Sequence, residues 1–98
     1  MSVVTNVLLS DDSLRNDQVW EAVVSRLNLV LLNNQDVGGD KCLENMLYIG
    51  AFNYLRLEEF IATLRDIYKH VELDDDVQLL VKEQDECRWK EVEWMKER

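Results

Sequence analysis

The chain has 98 residues, of which 47% are hydrophobic, and a formal net charge of −9 at pH 7. This length is typical of one domain, and the hydrophobic fraction is too high for a disordered chain. The excess of acids disfavours direct binding to nucleic acid or to an anionic membrane, and it favours a basic partner. We therefore expect one domain over residues 1–98, with residues 85–98 as a C-terminal tail.

The amino-terminal residues and the cysteines indicate a cytoplasmic protein. Residues 1–10 are apolar but lack a basic start and run into Asp11 and Asp12, unlike a secretory signal. The longest apolar run, residues 29–32, is far too short to span a bilayer. Cys42 and Cys87 form no disulfide framework and no CxxC motif. We predict a cytoplasmic protein with reduced thiols and no membrane association.

The first half of the chain predicts a strand, a helix and a second strand. Residues 3–9 are β-branched and apolar, which is typical of a strand buried on both faces. The next segment predicts a helix, because its apolar residues share one helical face: Val19, Trp20, Val23, Val24 and Leu27. Residues 29–32 predict a short strand. A polar loop follows, in which the glycines at 38 and 39 predict a hairpin turn with positive φ.

The second half predicts a strand, a helix, a strand and a tail. Residues 46–55 are rich in aromatic and aliphatic residues, and Gly50 indicates a bulge or a close approach of another backbone. Residues 57–68 predict an amphipathic helix and residues 77–81 a last strand. In the tail, the spacing of Trp89, Val92 and Met95 and an i,i+4 pair of Glu86 with Lys90 favour a helix. An extended tail is the alternative.

The element order β-α-β-β-α-β predicts an α+β, ferredoxin-like fold, with two helices on one face of a four-stranded antiparallel sheet. The first and third strands would be central. The last strand would be an edge, where Lys82 and Glu83 discourage pairing with another chain. Two alternatives stay open for the aromatic residues of the third strand, Tyr48, Phe52 and Tyr54. They form either an outward binding or dimer surface, or part of the core.

No constellation in the sequence indicates catalysis, a cofactor or a metal. His70 is the only histidine, and nothing near it suggests a nucleophile paired with a base. Residues 38–41 lack the spacing of a phosphate-binding loop, and the acidic residues 72–76 lack that of an EF-hand. We therefore predict that the protein is not an enzyme and holds no cofactor or metal.

The acidic stretch and the tail suggest a binding surface. Clustered carboxylates attract a basic partner, and aromatic anchors dominate interface energies. The candidate partner-binding residues are Glu72, Asp74, Asp75, Asp76, Asp85, Glu86, Trp89 and Trp94. The two tryptophans are equally compatible with docking on the domain itself. We predict a protein-interaction or inhibitor protein, of the immunity-protein or phage-inhibitor type, that binds a basic protein. The alternative is a small-ligand-binding or regulatory homodimeric domain.

Overall fold

The computed structural model describes residues 4–11, 17–32, 37–40, 46–69 and 77–94. Within these ranges the protein is α+β, with two helices and an antiparallel sheet of five strands in the order β2-β3-β1-β4-β5. The elements in chain order are β1 (Val4–Asp11), α1 (Asp17–Arg26), β2 (Val30–Leu31), β3 (Met46–Asn53), α2 (Leu57–Tyr68), β4 (Val77–Glu83) and β5 (Lys90–Val92).

The fifth strand differs from the prediction. A ferredoxin-like arrangement is not confirmed, because the strand count and order differ from the four-stranded expectation. β4 is not an edge strand, since β5 pairs with it, and the tail predicted to be helical forms the second strand of a hairpin. The Glu86–Lys90 ion pair that favoured a helix does form, at 2.6 Å, but it lies in this hairpin. Pairing with β4 has overridden the local helical spacing.

The sheet register brings the core residues of the strands together. Leu9 lies opposite Tyr48 on one side and Leu79 on the other, and all three side chains are fully buried. The neighbouring row places Val7 between Gly50 and Val81. The helices add their buried stripes to the same cluster: Val19, Val23 and Leu27 from α1, and Phe60, Leu64 and Tyr68 from α2. The helices therefore cover the face of the sheet that carries Tyr48.

This arrangement separates the aromatic residues of the third strand. Tyr48 is buried, and the Phe52 ring packs 6.1 Å from the Phe60 ring, so both belong to the core. Tyr54 follows the end of β3 with a φ of 56° and is 65% exposed. Trp20, expected on the buried stripe of α1, lies at its margin and is 37% exposed.

Two glycines are needed for different reasons: Gly50 for lack of space and Gly39 for its backbone conformation. A Cβ on Gly50 would lie 2.7 Å from Leu29 Cδ2 and 3.0 Å from Phe52 Cζ. The prediction of a bulge or of a close approach by another backbone was therefore wrong: β3 pairs with β1 in unbroken register through Gly50, and the atoms nearest the added carbon belong to side chains. Gly39 has a φ of 98°, which confirms the predicted positive φ in the loop.

We expect Gly50→Ala to lower the free energy of unfolding by about 1–3 kcal/mol, because the added methyl group overpacks the buried Leu29. The measurement is urea denaturation followed by circular dichroism. Gly38→Ala is the matched control, since no atom lies within 4 Å of the added carbon. Equal stabilities for the two variants would contradict the packing argument.

Candidate protein-binding face

The face of the sheet opposite the helices carries a row of aliphatic side chains. The register places Val30 opposite Ile49, Ile49 opposite Leu8, and Leu8 opposite Leu80. These four residues, here called the apolar row, cross β2, β3, β1 and β4. Val30 is 64% exposed and Ile49 is 41% exposed, and no element among the described residues covers them. A contiguous apolar strip at the surface is typical of an interaction site.

Small and polar residues, together with Leu47, flank the apolar row. The two neighbouring rows of the open face consist of Leu47, Ser10 and Gln78 on one side, and Ala51, Asn6 and Lys82 on the other. Asn6 Nδ2 donates a hydrogen bond of 3.3 Å to the carbonyl oxygen of Lys82, which holds β1 against β4. Lys82 is the one charged residue in these two rows. The centre of the open face therefore combines aliphatic contact area with little charge.

Acidic residues border the open face at β5. Glu91 lies opposite Leu80 at the end of the apolar row, and its Oε2 accepts a 3.4 Å hydrogen bond from Gln78 Nε2. Side chains alternate along a strand, so Glu93 lies on the same side as Glu91, while Val92 packs against the core. Both glutamates are exposed. One end of the apolar row is therefore negatively charged.

The two tryptophans of the tail have different positions. Trp94 is only 3% exposed, and its indole Nε1 donates to the carbonyl oxygen of Val77 at 3.3 Å. Arg65 Nε donates to the carbonyl oxygen of Trp94. Trp94 is therefore docked in the core and offers no surface to a partner. Trp89, one residue before β5, is 46% exposed and is the tail tryptophan that a partner can reach.

A buried hydrogen bond fixes the same end of the core. The Tyr68 hydroxyl donates to Asp11 Oδ2 at 2.6 Å, and the Tyr68 ring packs 5.4 Å from the Trp94 ring. Burial, followed by the hydrogen bond to Asp11, raises the pKa of Tyr68 far above its ordinary value. The phenol therefore remains protonated and keeps donating. This bond joins β1 to α2, against which the tail packs.

The other predicted partner-binding residues are not part of the apolar row. Asp85 and Glu86 lie in the turn between β4 and β5, where Asp85 is exposed and Glu86 is half-buried. Glu86 N–H donates to the carbonyl oxygen of Glu83, and Glu86 Oε1 accepts from Glu83 N–H, so this glutamate stabilises the turn. The remaining candidates lie outside the described residues: Glu72, Asp74, Asp75 and Asp76.

The histidine and the two cysteines, for which the sequence indicates no catalytic role, lie mostly outside the described residues. His70 and Cys42 lie outside the described residues, and Cys87 is exposed. The described part of the chain contains no group of three or more metal-ligating side chains. No described helix is long and apolar enough to cross a membrane.

No protein-family model, no curated protein and no solved structure matches this chain. Its function is therefore inferred from its own residues and their geometry.

We expect Trp94→Ala to lower the free energy of unfolding by about 3–5 kcal/mol, since it empties a buried site beside Tyr68. Trp89→Ala is the matched control and should change it by less than about 1 kcal/mol. Urea denaturation measures both. A large loss for Trp89→Ala, or none for Trp94→Ala, would contradict the docking of the tail.

The ion pair in the β4–β5 turn predicts a shifted titration. The hydrogen bond from Lys90, followed by that from Glu83 N–H, lowers the pKa of Glu86 from its ordinary value of 4.5. The stabilisation from this pair is therefore present above about pH 4.5 and is lost as the pH falls through the lowered pKa. Carboxyl-carbon NMR measures the titration. Lys90→Gln should raise the pKa of Glu86, whereas Arg88→Gln, which removes a neighbouring exposed cation, should move it much less.

Proposed function

We propose that this chain is a small protein-interaction protein, of the inhibitor type, that binds a basic protein partner and catalyses no reaction. The observation that carries the proposal is the apolar row on the open face, which presents four aliphatic side chains across four strands. Removing such a surface from water contributes roughly 25 cal/mol per Å². The open face is therefore the place where a partner would gain most from docking.

The charge of the chain supports a basic partner. The net charge of −9 attracts cations over long range, and Glu91 and Glu93 place two carboxylates beside the apolar row. A partner with an aliphatic or aromatic patch bordered by lysine or arginine would complement this face. The carboxylates would mainly speed encounter and set orientation, while the apolar row would slow dissociation.

The same charge argues against nucleic acid and anionic membranes as direct partners. Binding to phosphates requires a cluster of basic side chains. Lys82 is the one cation in the rows that flank the apolar row, and it lies on the same face as Glu91. A cytoplasmic location remains part of the proposal.

We further propose that the first four strands and the two helices form a ferredoxin-like unit, to which β5 is added. Two features support this. The neighbouring strands β2, β3, β1 and β4 are antiparallel in that order, and Arg26 of α1 forms a 2.9 Å ion pair with Asp66 of α2. Such a unit leaves one sheet face uncovered by helices.

The test begins with a tagged pull-down from the native cell lysate, with identification of the retained protein by mass spectrometry. The purified partner is then titrated calorimetrically. We expect the partner to be a basic protein whose affinity for this chain falls at high salt. The double variant Val30→Ser, Ile49→Ser should bind it at least about tenfold more weakly. Trp20→Gln removes exposed apolar surface from α1 instead and should leave the affinity unchanged.

A charge-matched pair of variants tests the position of the acids. The double variant Glu91→Gln, Glu93→Gln should slow association with the partner. The double variant Glu21→Gln, Glu58→Gln changes the net charge equally but at the exposed surfaces of the two helices, so it should slow association much less. A partner that is acidic, or one insensitive to the change at Val30 and Ile49, would overturn the proposal. Retention of only the chain's own copies would favour the homodimer.

A further inference from the structure

A second surface feature lies on the helix side of the molecule, away from the open face. A cleft of about 380 Å³ opens where α1 ends, β3 ends and α2 begins. Small-molecule sites in proteins have volumes of roughly 300–1,000 Å³ and combine an apolar lining with a few polar groups. The cleft is within this range, although it is shallow and widely open to solvent, and its lining has both kinds of residue.

The apolar lining comes from both helices and the end of β3. Leu27 is buried, and Phe52, Leu55 and Phe60 also line the cleft. The Phe52 and Phe60 rings meet at 6.1 Å with an interplanar angle of 60°, a tilted arrangement typical of packed aromatic pairs. These side chains are held by the core, so the apolar wall is already formed before anything binds.

Two arginines are among the residues that line the same cleft, although the chain as a whole carries a charge of −9. Arg26 is the last residue of α1, and Arg56 directly precedes α2. Arginine binds carboxylates through two parallel hydrogen bonds, and it does so with a fixed geometry. With Glu59, the lining therefore has two arginines and one glutamate beside an apolar wall, and each arginine is held in an exposed ion pair.

Both guanidinium groups can turn towards a ligand at little cost. Arg26 pairs with Asp66 at 2.9 Å, but Lys69 also pairs with Asp66, at 3.0 Å, so the carboxylate keeps a cation when Arg26 turns away. Arg56 pairs with Glu59 at 3.3 Å, and both side chains are largely exposed. Exposed pairs of this kind are weak in water.

We propose that this cleft binds a small organic acid, in which a carboxylate is attached to an aromatic or aliphatic body. The body packs on Phe52 and Leu55, which are only partly buried, and the carboxylate pairs with Arg26 and Arg56. The guanidinium groups, and not the N-terminus of α2, select an anion. The first turn of α2 carries Glu58 and Glu59, whose negative charges offset the attraction of the helix terminus for an anion. Glu59 lines the cleft and opposes a bound carboxylate.

The test is an ¹H–¹⁵N NMR titration of the full chain with 3-phenylpropionate, followed on the backbone amides of residues 52–60. Two further probes separate the two requirements. 3-Phenyl-1-propanol keeps the aromatic body without the charge, and propionate keeps the charge without the body. We expect saturable shifts with 3-phenylpropionate and at least tenfold weaker binding of each of the other probes.

Three variants place the ligand in the cleft. Arg26→Gln should weaken binding of 3-phenylpropionate at least fivefold. Arg88→Gln is its matched control, because it also removes one exposed positive charge but neither lines the cleft nor contacts Asp66. It should leave the affinity within twofold. Glu59→Gln should strengthen binding, since it removes the opposing charge.

Each outcome decides the proposal. Equal binding of 3-phenylpropionate and 3-phenyl-1-propanol would show a merely apolar depression and would overturn it. Equal weakening by Arg26→Gln and Arg88→Gln would show a general charge effect and would also overturn it, as would the absence of shifts at residues 52–60. Partner binding through the open face is unaffected by any of these results, because that face lies on the other side of the sheet.

Discussion

The hydrogen bond from the Tyr68 hydroxyl to Asp11 is the constraint on which the tail and the open face depend. It lies in the core, where an unpaired carboxylate would be costly. Because it joins the end of α2 to the end of β1, the Tyr68 ring is in place for Trp94 to pack against. With Trp94 docked, β5 lies beside β4 and brings Glu91 and Glu93 to the border of the apolar row.

The two faces of the sheet have different surroundings. One face, with Leu9, Tyr48 and Leu79 at its centre, supplies the core beneath the helices. The other presents Ile49 and its neighbours to solvent. The cleft with Arg26 and Arg56 lies beyond the helix-covered face, so a small acid and a protein partner would occupy opposite sides of the molecule.

Periodicity predicted the two helices, since Val19 to Leu27 and Leu57 to Tyr68 show clear apolar stripes. Apolar, β-branched and aromatic composition predicted the first four strands. The fifth strand was missed because Glu86 and Lys90 have helical spacing. They form a hairpin instead because β5 hydrogen-bonds with β4, and residue spacing within the tail does not reveal this pairing. The apolar row was missed for a related reason. Residues 3–9 indicate a strand buried on both faces, and the sequence leaves open which face of the third strand the helices cover. Only the structure shows that the face with Leu8 and Ile49 lacks a cover.

The central position of β1 has a consequence for how the chain folds. This first strand pairs with β3 and with β4, which begins at Val77, so its hydrogen bonds join residues far apart in sequence. Proteins rich in such long-range pairings fold in milliseconds to seconds rather than microseconds. During synthesis, the second edge of β1 stays unpaired until β4, near the end of the chain, has been made. A chain that ended before β4 would leave the backbone groups on one edge of its central strand open to other molecules.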